Sequence, residues 1–110
     1  MSRRLCFALD LVDDAALIAE YEARHRPGAV WPGVMAHIYA QGFEAMEIWR
    51  TADRLVMIAD VADDFPRAVT PPPENAAWED LMWKFQKPLA HAAAGEKWVP
   101  MQRIFSLDER

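Results

Sequence analysis

An α+β fold, with one antiparallel sheet and helices on one of its faces, is predicted by three observations. Residues 4–12 alternate as a strand does, with a large apolar side chain at every second position from Leu5 to Leu11. Residues 43–50 and 54–61 are two further apolar runs separated only by Thr51-Ala52-Asp53, which fits an antiparallel hairpin. Between the first and second runs, and again after the third, apolar residues recur every three or four positions, as amphipathic helices require.

Taken in order, the first strand places Leu5, Phe7, Leu9 and Leu11 on one face. Asp13-Asp14 then offer an N-cap for a helix running to about Arg24, whose inward stripe is Leu17, Ile18, Tyr21 and His25. Pro27-Gly28 stops it. A second helix begins at Trp31-Pro32, with proline in the first turn, and ends at Gly42, which suits a left-handed C-cap. After the hairpin, residues 62–75 hold Pro66 and Pro71-Pro72-Pro73 and read as an extended loop. Trp78, Leu81, Met82, Phe85 and Leu89 predict a last helix over 76–93, kinked or split at Pro88 and closed by Gly95. Residues 97–107 are expected as the fourth strand, with Pro100 marking a bulge or an edge. The order β-(αα)-β-β-α-β is the ferredoxin-like arrangement. Its second sheet face is also apolar and has no segment left to cover it, so a two-fold dimer by sheet-on-sheet contact is expected.

A chain of 110 residues is the size of one domain, 1–110, and buries about 60–70% of its unfolded surface, enough for one core. A net charge of −5, with no basic cluster beyond Arg3-Arg4, argues against nucleic acid as a partner. No run approaches the ~18 apolar residues that cross a membrane, and the N-terminus lacks a signal-peptide pattern. The single cysteine, Cys6, excludes an internal disulfide and reads as a small buried hydrophobe, so a cytoplasmic location is expected. Five tryptophans are many for this length, and because each indole N–H needs a partner, some should line a pocket or an interface.

Tyr21 and His25 stand four residues apart, so a phenol and an imidazole share one helical face. A group titrating near neutrality beside a second hydroxyl suits acid/base work on a small polar substrate. The same pair also fits a purely structural role, with His25 favoured at a helix C-terminus by the dipole. His37 in mid-helix and His91 near the end of the last helix are read as surface residues.

Laid out this way, nearly the whole chain resembles the L-rhamnose/L-fucose mutarotase family. The resemblance is carried by E-Y-E-A-R-H at 20–25, V-W-P at 30–32, M-E-I-W-R at 46–50, W-E-D-L-M-W-K-F-Q at 78–86 and G-E-K-W at 95–98. The M-E-I and G-E-K-W blocks are closer to members assigned to L-fucose. The resemblance implies a dimeric α+β barrel of ferredoxin-like subunits that interconverts the anomers of 6-deoxy-hexoses without cofactor or metal. It implies His25 as proton donor and Tyr21, Met46, Met82 and Trp83 as sugar contacts. Met46 stands where rhamnose-type members usually carry an aromatic residue, and Met82-Trp83 stands where they carry Trp-Trp. Two extra residues, Pro27 and Gly28, precede Trp31. Trp83 offers an aromatic plate for the apolar C–H face of a pyranose, and Met46 with Met82 an apolar nook for a C6 methyl. Trp49, Trp78 and Trp98 are read as core or interface. Glu47 alternates with Met46, so either it or Met46 faces the pocket, not both. Two other readings share this architecture: a haem- or quinone-type mono-oxygenase using His25, and a non-catalytic binding module.

Overall fold

The computed structural model describes residues 3–108. Eight elements follow one another: β1 (Arg3–Leu11), α1 (Ala15–Arg24), α2 (Pro32–Ala40), β2 (Phe43–Thr51), β3 (Arg54–Val61), α3 (Pro73–Trp83), β4 (Gln86–Lys87) and β5 (Val99–Pro100). The sheet order is β2-β3-β1-β4, with β5 on the same flank of β1, and every pairing is antiparallel. This is the predicted ferredoxin-like α+β arrangement.

Register decides which side chains meet the helices. Cross-strand partners share a face, and Leu9↔Leu55, Phe7↔Met57 and Leu5↔Ala59 are partners, so the odd residues of β1 and β3 lie together. Leu9, Leu11, Leu55, Ala59 and Val61 are almost wholly buried there. With Tyr21, Val34, Trp78, Met82 and Phe85 from the other elements they form the core.

The helix boundaries follow their caps. Asp14 accepts the Leu17 amide at 2.9 Å and so satisfies one orphan donor of α1. Pro32 opens α2 behind Trp31. Gly42 after α2 has a positive φ of 109°, and a Cβ there would crowd the Phe65 side chain at 3.3 Å. A Cβ at Gly33 would fall on the Glu74 side chain, so glycine lets the start of α3 approach α2.

The C-terminal third corrects the sequence reading twice. The last helix runs over Pro73–Trp83 rather than 76–93: the third proline of the triplet is its first residue, where a missing N–H costs nothing. It stops because Phe85 and Gln86 are drawn into the sheet. The Phe85 carbonyl accepts from Val12 N–H at 2.8 Å, and Gln86 pairs with Leu11. Pro88 reinforces the stop by disfavouring helix at Lys87. Phe85 and Leu89 are buried as their spacing suggested, but from the turn before β4 and the loop after it. The expected strand over 97–107 shrinks to Val99–Pro100 at the edge of β1, and beyond it Ile104, Phe105 and Leu107 are exposed.

The Asp14 cap gives a direct test of this boundary. Asp14→Ala is expected to lower stability by about 1 kcal/mol. In urea unfolding this would appear as a lower midpoint at unchanged slope.

Candidate active site

Between the helices and the sheet lies a cavity of about 460 Å³, half open to solvent, within the range of small-ligand sites. Tyr21 and His25 of α1 enter it from one side and Met46 and Ile48 of β2 from another. Trp78, Glu79 and Met82 of α3, Gln86 of β4 and Lys97-Trp98 complete the wall.

His25 ends α1, and its setting follows from how that helix closes. Its own amide donates to the Glu22 carbonyl at 3.1 Å, a tightened last turn. The Tyr21 carbonyl therefore takes the imidazole: Nδ1 lies 2.8 Å from it. A carbonyl only accepts, so Nδ1 carries the hydrogen and Nε2 of the neutral ring is left with a free lone pair. Three rings fix the plane. Tyr21 lies 4.3 Å from His25 between centroids, Trp78 lies edge-on to it at 5.6 Å, and Trp31 backs Trp78 at 5.1 Å. Burial lowers the His25 pKa below its ordinary 6.5, and the Tyr21 carbonyl, which favours imidazolium, only partly offsets this.

Tyr21 is 3% exposed, and burial pushes its phenol up to about 12, with the Gln86 hydrogen bond opposing and nearby Glu79 adding. The phenol is a hydrogen donor throughout the physiological range. Gln86 Nε2 donates to its oxygen at 3.5 Å. Lys97 Nζ donates to Glu79 at 2.6 Å, so among the described residues the lysine and the carboxylate of the wall are already paired. Among the described residues, no group of three or more His, Cys, Asp or Glu is placed to hold a metal ion.

Met46 reaches the cavity through a β-bulge. Phe43 pairs with Val61 and Ala45 with Asp60, so Glu44 is an extra residue in β2. After this slip Met46 and Ile48 share the helix-facing side with their partners Ala59 and Met57. Glu47 and Trp49 point the opposite way and are exposed, which resolves the Glu47 alternative.

Of the side chains expected in the pocket, Tyr21, His25, Met46 and Met82 line it together and Trp83 does not. The α3 stripe facing the cavity is Asn75, Trp78, Glu79 and Met82, at helical spacings of three, one and three. Trp83 lies one position past that stripe, 37% exposed, with Lys97 Nζ 4.6 Å above its ring. The indoles on the wall are Trp78 and Trp98 instead. His37, read as a surface residue, is half-buried on the wall, and its Nδ1 has no partner among the described residues. His91 is exposed, in a turn after β4 rather than in a helix. Lys97 and Trp98 belong to the G-E-K-W block, so their sequence signal was present. Glu79 and Gln86 belong to the W-E-D-L-M-W-K-F-Q block in the same way, although neither was singled out there.

Comparison with known proteins agrees with this fold. Residues 4–107 match the model of the L-rhamnose mutarotase family. An L-fucose mutarotase from Xanthomonas campestris pv. campestris is 50% identical over 97% of this chain and 90% of its own length. A UPF0734 protein from Dictyostelium discoideum is 34% identical over 92% of this chain and 86% of its own length. In structure, an L-rhamnose mutarotase from Formosa agariphila superposes with a TM-score of 0.69 at 18% identity, covering 96% of this chain and 99% of that one, a likeness of fold. The chain belongs to the L-rhamnose mutarotase family, a family of isomerases that act on sugars.

Proposed function

We propose that this protein interconverts the α and β anomers of a 6-deoxy-hexose, L-fucose in preference to L-rhamnose, with His25 as its acid/base. The observation that supports the reading most is the neutral His25 ring at the cavity wall, its Nδ1–H held by the Tyr21 carbonyl and its Nε2 unclaimed. Mutarotation moves one proton between two oxygens on the same carbon. Nε2 takes the proton of the anomeric hydroxyl as the bond from C1 to the ring oxygen breaks, leaving an aldehyde. The imidazolium returns that proton to the ring oxygen. After rotation about C1–C2 the steps run in reverse on the other face, so one group serves both directions. Such a group works best with a pKa near ambient pH. Tyr21, kept protonated, orients the sugar as a hydrogen-bond donor.

L-fucose is favoured because the Xanthomonas relative bears that name and because methionines 46 and 82 offer a flexible apolar nook where an aromatic pair would be stiffer. The indole of Trp98, not Trp83, is the plate for the C–H face of the ring. The protein is also proposed to act as a cytoplasmic homodimer through the outer face of the sheet. Trp49, 61% exposed, and Met101, 49% exposed, stand there with half-buried Cys6, Val56, Ile58 and Val99.

Saturation-transfer proton NMR should detect faster anomer exchange of L-fucose with the protein and its loss in folded His25→Ala. Wild-type-like exchange in that variant would remove His25 from the mechanism. Because burial lowers the His25 pKa, exchange should hold level down to about 6.5 and fall only below it. Stability shares the sign: between 6.5 and the lower native value the unfolded chain binds more protons, so this contribution is full above 6.5 and is lost as pH falls. L-galactose, which adds one hydroxyl at C6, should exchange about tenfold to a hundredfold more slowly than L-fucose; equal rates would undo the methionine nook. Sedimentation should find a dimer that Trp49→Glu dissociates, whereas a monomeric wild type would refute the pairing.

A further inference from the structure

We propose that Gln86 is the residue by which the cavity identifies one ring hydroxyl of its sugar, so that it sets which stereoisomer is accepted; this rests on the sugar reading above. Gln86 is 6% exposed. Its Nε2 donates to the Tyr21 oxygen, and its Oε1 is buried with no partner among the described residues. An acceptor left in that condition costs about 1–3 kcal/mol, and native proteins rarely leave one without a purpose.

The amide cannot turn away. Gln86 pairs with Leu11, whose side is the helix-covered one, while its neighbour Lys87 pairs with Asp10 and is exposed. The Phe85 carbonyl is bonded to Val12, and the Phe85 side chain is fully buried. Both flanks of Gln86 are therefore fixed, and its side chain is aimed at the cavity.

Tyr21 completes the reader. Its oxygen accepts from Gln86, so its own hydrogen is free to donate elsewhere. A phenol donor and an amide acceptor side by side complement a hydroxyl, which accepts and donates at once. Neither a methyl group nor a ring C–H satisfies both. The hydroxyl concerned is not the anomeric one, which must change faces during the reaction. It is one of those at C2, C3 or C4, on the same sugar that the His25 ring, 4.3 Å from Tyr21, addresses at C1. The reader discriminates by leaving its own polar atoms unpaired when the hydroxyl is missing or inverted.

The test uses wild type and Gln86→Leu with L-fucose and its 2-, 3- and 4-deoxy forms. Binding is followed by quenching of tryptophan fluorescence and exchange by NMR. Wild type should bind one of the three deoxy sugars about tenfold to a hundredfold more weakly than L-fucose through this pair. In Gln86→Leu that penalty should vanish while the other two persist. An unchanged set of three penalties would overturn the proposal, since solvent then satisfies the amide. So would an equal weakening of all four sugars, which marks lost packing. Gln86→Met replaces the leucine variant if the latter does not fold. Binding with the expected pattern but no exchange would refute the mutarotase reading and leave this one standing. Exchange with an unaltered pattern would do the reverse, and no binding of any of the four sugars would refute both.

Discussion

The bond from the His25 imidazole to the Tyr21 carbonyl, 2.8 Å long, ties the end of a helix to the chemistry of the cavity. A helix leaves its last carbonyls without partners, and here one of them is used to hold a side chain. That single contact sets which ring nitrogen bears hydrogen and stops the ring from rotating. It also leaves the other nitrogen unencumbered. Tyr21 from its own helix and Trp78 from α3 then pack the ring, and Trp31 backs Trp78. A shift in where α1 ends would undo all of this, which gives the Pro27-Gly28 stop a role in function as well as in folding.

The cavity lies where two periodicities meet. From α1 and α3 come residues on three- and four-residue stripes, and from β2 residues two apart, brought into phase by the bulge at Glu44. Its walls are also core: Tyr21, Val34, Trp78, Met82 and Gln86 are among the most buried residues of the chain. Enlarging the site thus removes packing, at several kcal/mol for a large apolar side chain. Lys97 is paired with Glu79 and Gln86 with Tyr21, while the buried Oε1 of Gln86 is left over, and an unsatisfied buried atom is where a polar network is most costly.

Much of this was legible in the sequence where local signals were strong. The strand alternation through Leu5, Phe7, Leu9 and Leu11, the Asp14 cap, the tight hairpin and Gly42 each specify their element without outside help. The placement of Tyr21, His25 and Met82 follows from helical spacing alone. Other features depend on distant partners. Gln86 and Lys87 become strand because β1 offers Asp10 and Leu11, although Trp78, Met82, Phe85 and Leu89 keep helical spacing. The bulge in β2 carries no composition signal, so the phase that brings Phe43 and Met46 to one side appears only with the pairing to β3. Of the Met82-Trp83 pair expected at the sugar, only Met82 lines the cavity, because adjacent helical residues point about 100° apart.

The protonation pattern of the His25 ring is the feature on which the proposed chemistry most directly depends. Long-range ¹⁵N–¹H correlation of the histidine side chains near pH 7.5, with His25→Gln to assign the signals, reads it without any substrate. A hydrogen-bearing Nδ1 and an unprotonated Nε2 are expected. A ring protonated on Nε2, or on both nitrogens at that pH, would contradict the assignment of Nε2 as the base.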